Sequence, residues 1–171
     1  MPLHAFFLWC EHTVIGTAVR ESIWLFPIIE VVHLLGLAVL GGAILLVDLR
    51  LLGIGLHGVP VASLARSVRP WLWGSLALTL GSGVLLFLSE ALKCYENPAF
   101  WLKVGFLIVA LLFAGLVRPR FTRDASVGPL RFGARLAGAA SVLLWTGVAF
   151  EAPPVLVGGR RPRLLAGRRD D

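Results

Sequence analysis

The chain has 171 residues, of which 57% are hydrophobic and 15% are charged, and its formal net charge is +6. A soluble globular domain carries about 25% charged residues, so this composition, with a mean hydropathy of +0.84, excludes an ordinary soluble protein. The arginines stand in short segments between long uncharged runs, and we interpret them as signals of membrane topology. The expected partner is therefore the lipid bilayer, and no nucleic acid is expected.

The first apolar run, 23–47, is 25 residues long and is interrupted only by Glu30 and His33. About 20 apolar residues in a helix cross the hydrocarbon core of a bilayer, so the run predicts a transmembrane helix. We expect it to end at the charged stretch 48–50. The aromatic-rich segment 5–19 is too short to span and predicts an interfacial helix.

Three more spans are predicted at 71–88, 98–117 and 132–150. The connection 57–70 carries apolar residues at spacings of three and four, which predicts a separate short amphipathic helix. The predicted fold is all-α: a polytopic four-transmembrane-helix bundle with short interfacial helices. We expect one domain over 1–151, followed by a basic tail, 152–171, rich in Gly, Pro and Arg and disordered.

The loop arginines predict the orientation. The two loops on one face carry eight basic residues, and the opposite face carries three before the tail. Because basic loops stay in the cytoplasm, both termini are predicted to be periplasmic, with the protein in a bacterial inner membrane. Five further arginines in the tail oppose this prediction if they set the topology instead.

Glu30 and His33 are the candidate functional pair. Residues three apart share a helix face and can touch. His33 lies ten residues after Ile23, about 15 Å along the helix and near the middle of the bilayer. Ionisable groups at that depth face the bundle interior or a wet cavity, and they are functional candidates by default. A carboxylate beside an imidazole can relay protons or bind a ligand; the alternative is a hydrogen-bonded pair that only locks packing.

Three further charged residues are interpreted as structural anchors. Asp48 lies five helical turns beyond Glu30, so both carboxylates are expected on one face, and Asp48 can pair with an arginine of the loop between helices three and four. Arg50 is expected to meet lipid phosphate. Lys103 is expected to extend to the membrane interface, with Glu90 or Glu96 as its partner.

Small and hydroxyl residues form stripes on two of the predicted helices, and we interpret both stripes as packing faces because small side chains let transmembrane helices approach closely. They are Ser75, Thr79 and Ser82 in the second helix, and Ala134, Gly138 and Ser141 in the fourth.

The ligand inventory supports no metal site, and no catalytic residue is assigned. Only one of the four histidines, His33, lies deep in a span, and Met1 is the sole methionine. A haem held by two histidines is therefore unsupported, whereas a haem with His33 as its one axial ligand stays open.

Cys10 and Cys94 are the only cysteines. Two spans lie between them, so both thiols fall on one side of the membrane. If that side is the oxidising periplasm, they can form a disulfide across the outer end of the bundle. Two unrelated free thiols are the alternative.

The segments F-P-I-I-E-V-V-H (26–33), V-D-L-R-L-L-G (47–53) and P-A-F-W-L-K (98–103) together resemble an uncharacterised family of bacterial inner-membrane four-helix proteins, known only as a domain of unknown function. The resemblance covers about 5–150 and implies a four-helix membrane bundle without an established activity. Beyond Phe150 the chain departs from the family pattern, and its Gly-Arg-rich end suggests a frameshift as a hypothesis.

The hypothesis for function is a non-enzymatic membrane protein that handles protons or binds a small ligand at Glu30 and His33, as an accessory subunit or a homo-oligomer. The alternative is a redox component with a haem or quinone near His33. A third hypothesis is a purely structural partner of a larger membrane complex.

Overall fold

The structure is a computed structural model that describes residues 2–123 and 132–149. Its α-helices are, in chain order, α1 (Pro2–Glu11), α2 (Val14–Glu21), α3 (Leu25–Leu52), α4 (Val61–Ser89), α5 (Ala91–Glu96), α6 (Pro98–Leu112), α7 (Arg118–Thr122) and α8 (Phe132–Ala149). A π-helical segment, Phe113–Val117, joins α6 to α7. No strand occurs within these two ranges. The tail 152–171, for which disorder and a frameshift are the predictions, lies outside the described residues.

Four helical stretches are long and apolar enough to cross a membrane: α3, α4, Pro98–Thr122 and α8. This confirms the predicted all-α, four-helix membrane fold. Large apolar side chains such as Ile28 and Leu34 are exposed on the outer surface, where lipid tails would contact them. Trp24 and Trp101 are exposed near the starts of α3 and α6, as is typical of tryptophans at a membrane interface.

Helix α3 continues beyond its predicted end. Asp48 and Arg50 lie inside the helix, which ends at Leu52 because Gly53 takes the left-handed conformation (φ +78°). The Gly53 N–H donates to the Arg50 carbonyl at 3.2 Å, and the Ile54 N–H donates to the Leu49 carbonyl at 2.9 Å. Glycine is the residue that adopts this conformation without steric cost, so it, and not the charged stretch 48–50, terminates the helix.

The prediction of a separate amphipathic helix at 57–70 is wrong. Helix α4 is a single helix of 29 residues that includes Pro70. Proline removes one backbone donor from a helix, and neighbouring contacts can compensate. Here the first turns of α4 are held by tertiary packing. Val61 is fully buried and, with Leu64 and Val68, packs against Val47 and Leu51 of α3.

The third span also differs from its prediction. Asn97 caps α6 as expected, because its Oδ1 accepts from the Ala99 N–H at 3.0 Å. The α-helical geometry stops at Leu112, however, and the chain passes through the π-helical segment into α7. A π turn holds an extra residue, so it changes the direction of the side chains that follow.

Helix α3 packs against both α4 and α8, while α6 packs against α8. Both stripes of small residues are buried, as predicted for packing faces: Ser75, Thr79, Ser82, Ala134, Gly138 and Ser141. A Cβ added at Gly138 would lie 3.0 Å from the Asp48 carbonyl oxygen, so a side chain there would separate α8 from α3.

Helices α1, α2 and α5 close one end of the bundle. The predicted interfacial segment 5–19 is divided into two helices, because the Thr13 side chain caps α2 by accepting from the Gly16 N–H at 3.1 Å. Phe7 is buried among aromatic rings, with its ring centre 5.4 Å from that of Phe87 and 5.0 Å from that of Tyr95. The N-terminal helices are therefore packed onto the membrane-spanning helices.

Candidate functional site

His33 contacts the stripe of hydroxyl residues on α4. Its Nδ1 atom lies 3.0 Å from the Ser82 hydroxyl oxygen. The ring also packs closely on α4, because a Cβ added at Gly83 would lie 3.1 Å from the His33 Cε1 atom. The side chain is half-buried. Ser82 is therefore the hydrogen-bond partner of the candidate functional histidine. The sequence had predicted only a packing role for Ser82.

The hydrogen bonds of Ser82 indicate which imidazole nitrogen carries the proton. The Ser82 hydroxyl donates to the Leu78 carbonyl at 2.7 Å, within its own helix. A serine hydroxyl has one hydrogen, so while it is donated to Leu78 the Ser82 oxygen can only accept from His33. The Thr79 carbonyl, which can only accept, also lies within reach of the imidazole. In that arrangement Ser82 favours a hydrogen on Nδ1, which leaves the lone pair of the neutral ring on Nε2.

Glu30 does not join His33. Its side chain is exposed on the outside of the bundle, while His33 is turned towards α4. Within residues 2–123 and 132–149, no hydrogen bond or ion pair connects the two. The expectation that Glu30 faces the interior with His33 and Asp48 is therefore wrong, because only His33 and Asp48 are turned towards neighbouring helices. Side chains three positions apart on a helix differ by about 60° in direction, which is enough to separate an inner from an outer position.

The observed bounds of α3 change the depth expected for both residues in the bilayer. Helix α3 has 28 residues, so its centre falls between positions 38 and 39. At a rise of about 1.5 Å per residue, His33 is about 8 Å and Glu30 about 13 Å from that centre. The hydrocarbon core extends about 15 Å to each side of its middle. If the helix is centred in the bilayer, Glu30 lies at the edge of the core and His33 lies well inside it.

Lys103 is half-buried on α6 and is close enough to interact electrostatically with His33 and Cys94. One of its two predicted partners, Glu90, forms an ion pair with Lys93. That contact raises the pKa of Lys93, first through the hydrogen bond and then through the negative charge of Glu90.

A second polar group lies at the other end of α3. Asp48 is fully buried and receives a hydrogen bond from Arg118 at 3.0 Å, so the arginine expected opposite Asp48 is Arg118. Arg118 also donates to the Ile44 carbonyl at 3.1 Å. The prediction that Arg50 meets lipid phosphate is wrong. Arg50 is fully buried, and its Nε donates to the Val59 carbonyl at 2.8 Å, which holds the loop between α3 and α4 against the helix.

Cys10 and Cys94 lie on α1 and α5, which pack against each other. Cys10 is buried beside Ala91, and both cysteines are free thiols in the structure. Burial, followed by the negative charge of Glu90, raises the pKa of the Cys94 thiol. The disulfide between them stays a prediction.

A polar cluster that the sequence did not predict lies at the end of the bundle closed by α1, α2 and α5. Glu11 accepts a hydrogen bond from the Leu92 N–H at 2.9 Å and forms a 3.2 Å ion pair with Arg20. Arg20 also donates to the Ser89 carbonyl at 3.4 Å. These contacts tie α1 and α2 to the junction of α4 and α5. Arg20 entered the sequence analysis only as a topology charge, and no local spacing pairs it with residues 69 positions away.

Comparison with known proteins gives one match. A family model described as "Family of unknown function (DUF6644)" matches residues 6–155. No curated protein and no solved structure matches the chain.

Proposed function

The chain belongs to the DUF6644 family, whose function is unknown, and from its own residues we propose a non-enzymatic membrane protein that takes up and releases protons at His33. The observation that carries the proposal is the contact of Nδ1 with Ser82. In the tautomer that donates its Nδ1 hydrogen to Ser82, Nε2 is the nitrogen that accepts a proton. Histidine changes charge between about pH 5 and 8, which suits it to this role.

Glu30 is the proposed second member of the relay. It lies one helical turn from His33, on the side of the nearer membrane face. An exposed carboxylate at the edge of the hydrocarbon core can exchange protons with water and pass them towards the deeper imidazole. When Nε2 is protonated, the oxygen atoms of Ser82 and Thr79 stabilise the positive ring by accepting from it.

The same tautomer supports a second candidate function, a redox component with a haem or quinone at His33. A histidine that binds a metal through one nitrogen commonly donates the hydrogen of the other nitrogen to a nearby oxygen, and the Ser82 oxygen, 3.0 Å from Nδ1, is placed to accept one. A visible spectrum of the purified protein separates the two functions. A Soret band that His33→Ala removes and His57→Ala keeps would favour the haem.

The proton-handling function is tested by NMR of the protein labelled with ¹⁵N at histidine. We expect Nδ1 of His33 to carry the hydrogen at high pH, and Nε2 to gain one as the pH falls between about 8 and 5. His57→Ala serves as the control for assigning the histidine signals, because His57 is exposed in the loop that follows α3. A His33 ring that stays neutral over this range, or carries its hydrogen on Nε2, would contradict the proposal.

Proton flux into liposomes that contain the protein tests the role of the pair. Glu30→Gln and His33→Ala should each lower the flux more than Lys103→Ala does. An equal loss in all three variants, or full flux in the Glu30→Gln/His33→Ala double variant, would assign both residues to packing.

For location, we propose a bacterial inner membrane with both termini in the periplasm. The exposed arginines support this orientation. At the end of the bundle that holds the loop between α3 and α4, the exposed arginines are Arg66, Arg69, Arg120, Arg123 and Arg135. At the opposite end the exposed basic residues Arg20 and Lys93 each pair with a glutamate. Among the described residues, basic charge without an ion pair is therefore concentrated at the end proposed to be cytoplasmic.

A further inference from the structure

A groove of about 550 Å³ lies between the first half of α4 and the segment that runs from the end of α6 into α7. It lies beside the opposite end of α4 from Ser82, so it is separate from His33. One part of its wall is apolar and is formed by Val47, Ala65, Val68, Leu72 and Ala114. This apolar wall has the chemistry of a binding site for a hydrocarbon chain.

The rim of the groove is positively charged. Arg66, Arg69 and Arg123 line it, all three are exposed, and none forms an ion pair with another described residue. Arg66 and Arg69 are three residues apart and therefore neighbours on one face of α4. No carboxylate occurs among the described residues that line the groove. An occupant with a negative charge is therefore favoured over a neutral one.

Arg118 gives an independent indication of an anion. It lines the groove with 6% of its surface exposed. Its Nη2 atom is used by Asp48 and by the Ile44 carbonyl, but its Nε–H has no hydrogen-bond partner among the described residues. Buried donors are rarely left without an acceptor, because desolvating them costs free energy. An anionic oxygen bound in the groove beside Arg118 would supply the missing acceptor.

The neighbouring tryptophans indicate the depth of the groove. Trp71 and Trp73 are exposed on α4, and tryptophans are enriched where a membrane-spanning helix meets the headgroups. Arg66 and Arg69 precede these tryptophans in α4 and lie on the side away from the apolar span. This position corresponds to the level of lipid phosphates. We propose that the groove binds one anionic phospholipid, with its phosphate beside Arg66, Arg69 and Arg118 and an acyl chain along the apolar wall.

Native mass spectrometry of the full chain in detergent tests this proposal. The delipidated protein is titrated with phosphatidylglycerol or with phosphatidylcholine. We expect tighter binding of phosphatidylglycerol and a loss of about five-fold in its affinity for each arginine that is removed in Arg66→Gln and Arg69→Gln. Arg120→Gln is the matched control, because Arg120 is exposed on α7 and does not line the groove.

A second variant tests the apolar slot without changing any charge. A Cβ added at Gly115, in the groove wall, would meet no atom within 4 Å, so Gly115→Leu fits the fold and fills the groove. We expect it to lower the affinity for phosphatidylglycerol as well. Three results would overturn the proposal: equal affinity for both lipids, equal losses in Arg120→Gln and the groove variants, or full displacement of the lipid by inorganic phosphate. A complex of two chains without lipid that the groove variants dissociate would assign the groove to a second copy.

Discussion

Asp48 and Arg118 are 70 positions apart in the chain and form a buried ion pair at 3.0 Å. The pair joins α3 to the helix that follows the π-helical segment, so it connects the first predicted span to the third. Asp48 is fully buried, and 6% of Arg118 is exposed. The stability of the bundle should therefore depend on both charges being present together.

Replacing one partner tests this dependence. Arg118→Met should lower the free energy of unfolding by about 3–5 kcal/mol, because it leaves a buried carboxylate without its counter-charge. Unfolding in detergent, followed by circular dichroism, measures the change. The control is Arg120→Met, an exposed arginine of the same helix, which should change stability little. The Asp48→Leu/Arg118→Met double variant should recover most of the loss. An Arg118→Met protein as stable as the control would contradict the prediction.

The contact between α3 and α4 depends on Gly36. A Cβ added there would lie 2.6 Å from the Thr79 hydroxyl oxygen. Gly36→Ala should therefore lower the free energy of unfolding by about 1–3 kcal/mol, as overpacking does in closely packed cores. Gly41→Ala in the same helix is the control, because its Cβ would meet no atom within 4 Å. Thr79→Ala should partly restore stability to Gly36→Ala, and the absence of any rescue would place the strain elsewhere.

In reduced protein, Cys94 should react slowly with alkylating reagents at neutral pH. The thiolate is the reactive form, and burial, together with the charge of Glu90, raises the pKa of this thiol. Its labelling rate should rise as the pH is raised towards that pKa, and Glu90→Gln should increase the rate at neutral pH. Cys10, with 2% of its surface exposed, should stay unlabelled in the folded protein. Fast labelling of Cys94 at neutral pH would contradict the predicted environment.

The disulfide between Cys10 and Cys94 is a separate prediction for protein taken directly from membranes. If it forms, denatured protein that has not been reduced should accept no alkylating group, and a peptide that joins the two cysteines should appear in the mass spectrum. Two alkylated cysteines without reductant would rule the bridge out. The Cys10→Ser variant gives the reference spectrum for a single free thiol.

Reporter fusions test the orientation. A fusion after Arg123 should report the cytoplasm, and a fusion after Tyr95 should report the periplasm, because the exposed arginines are concentrated at the end of α4 that contains Arg66. If both fusions reported the opposite compartment, the arginines of the tail would set the topology.

The number and approximate position of the spans followed from the sequence, because the length of an apolar run is a local property that the bilayer thickness selects. The cap at Asn97 and the two stripes of small residues were also visible, since capping and close helix approach require particular residue types at short spacing. Other boundaries were missed. Helix α4 continues through Pro70 because Val61 packs on α3, and no property of the segment 57–70 alone reveals that contact.

The tertiary structure alone decided which charged groups are buried. Apolar residues surround α3 on nearly all sides, so its sequence pattern does not tell which side faces another helix. The exposed position of Glu30, the contact of His33 with Ser82 and the burial of Arg50 all depend on that direction. The pairing of Asp48 with Arg118 depends on where a distant helix lies. Spacing along one helix describes neighbours within that helix, whereas the partner of a buried charge is selected by the packing of separate helices.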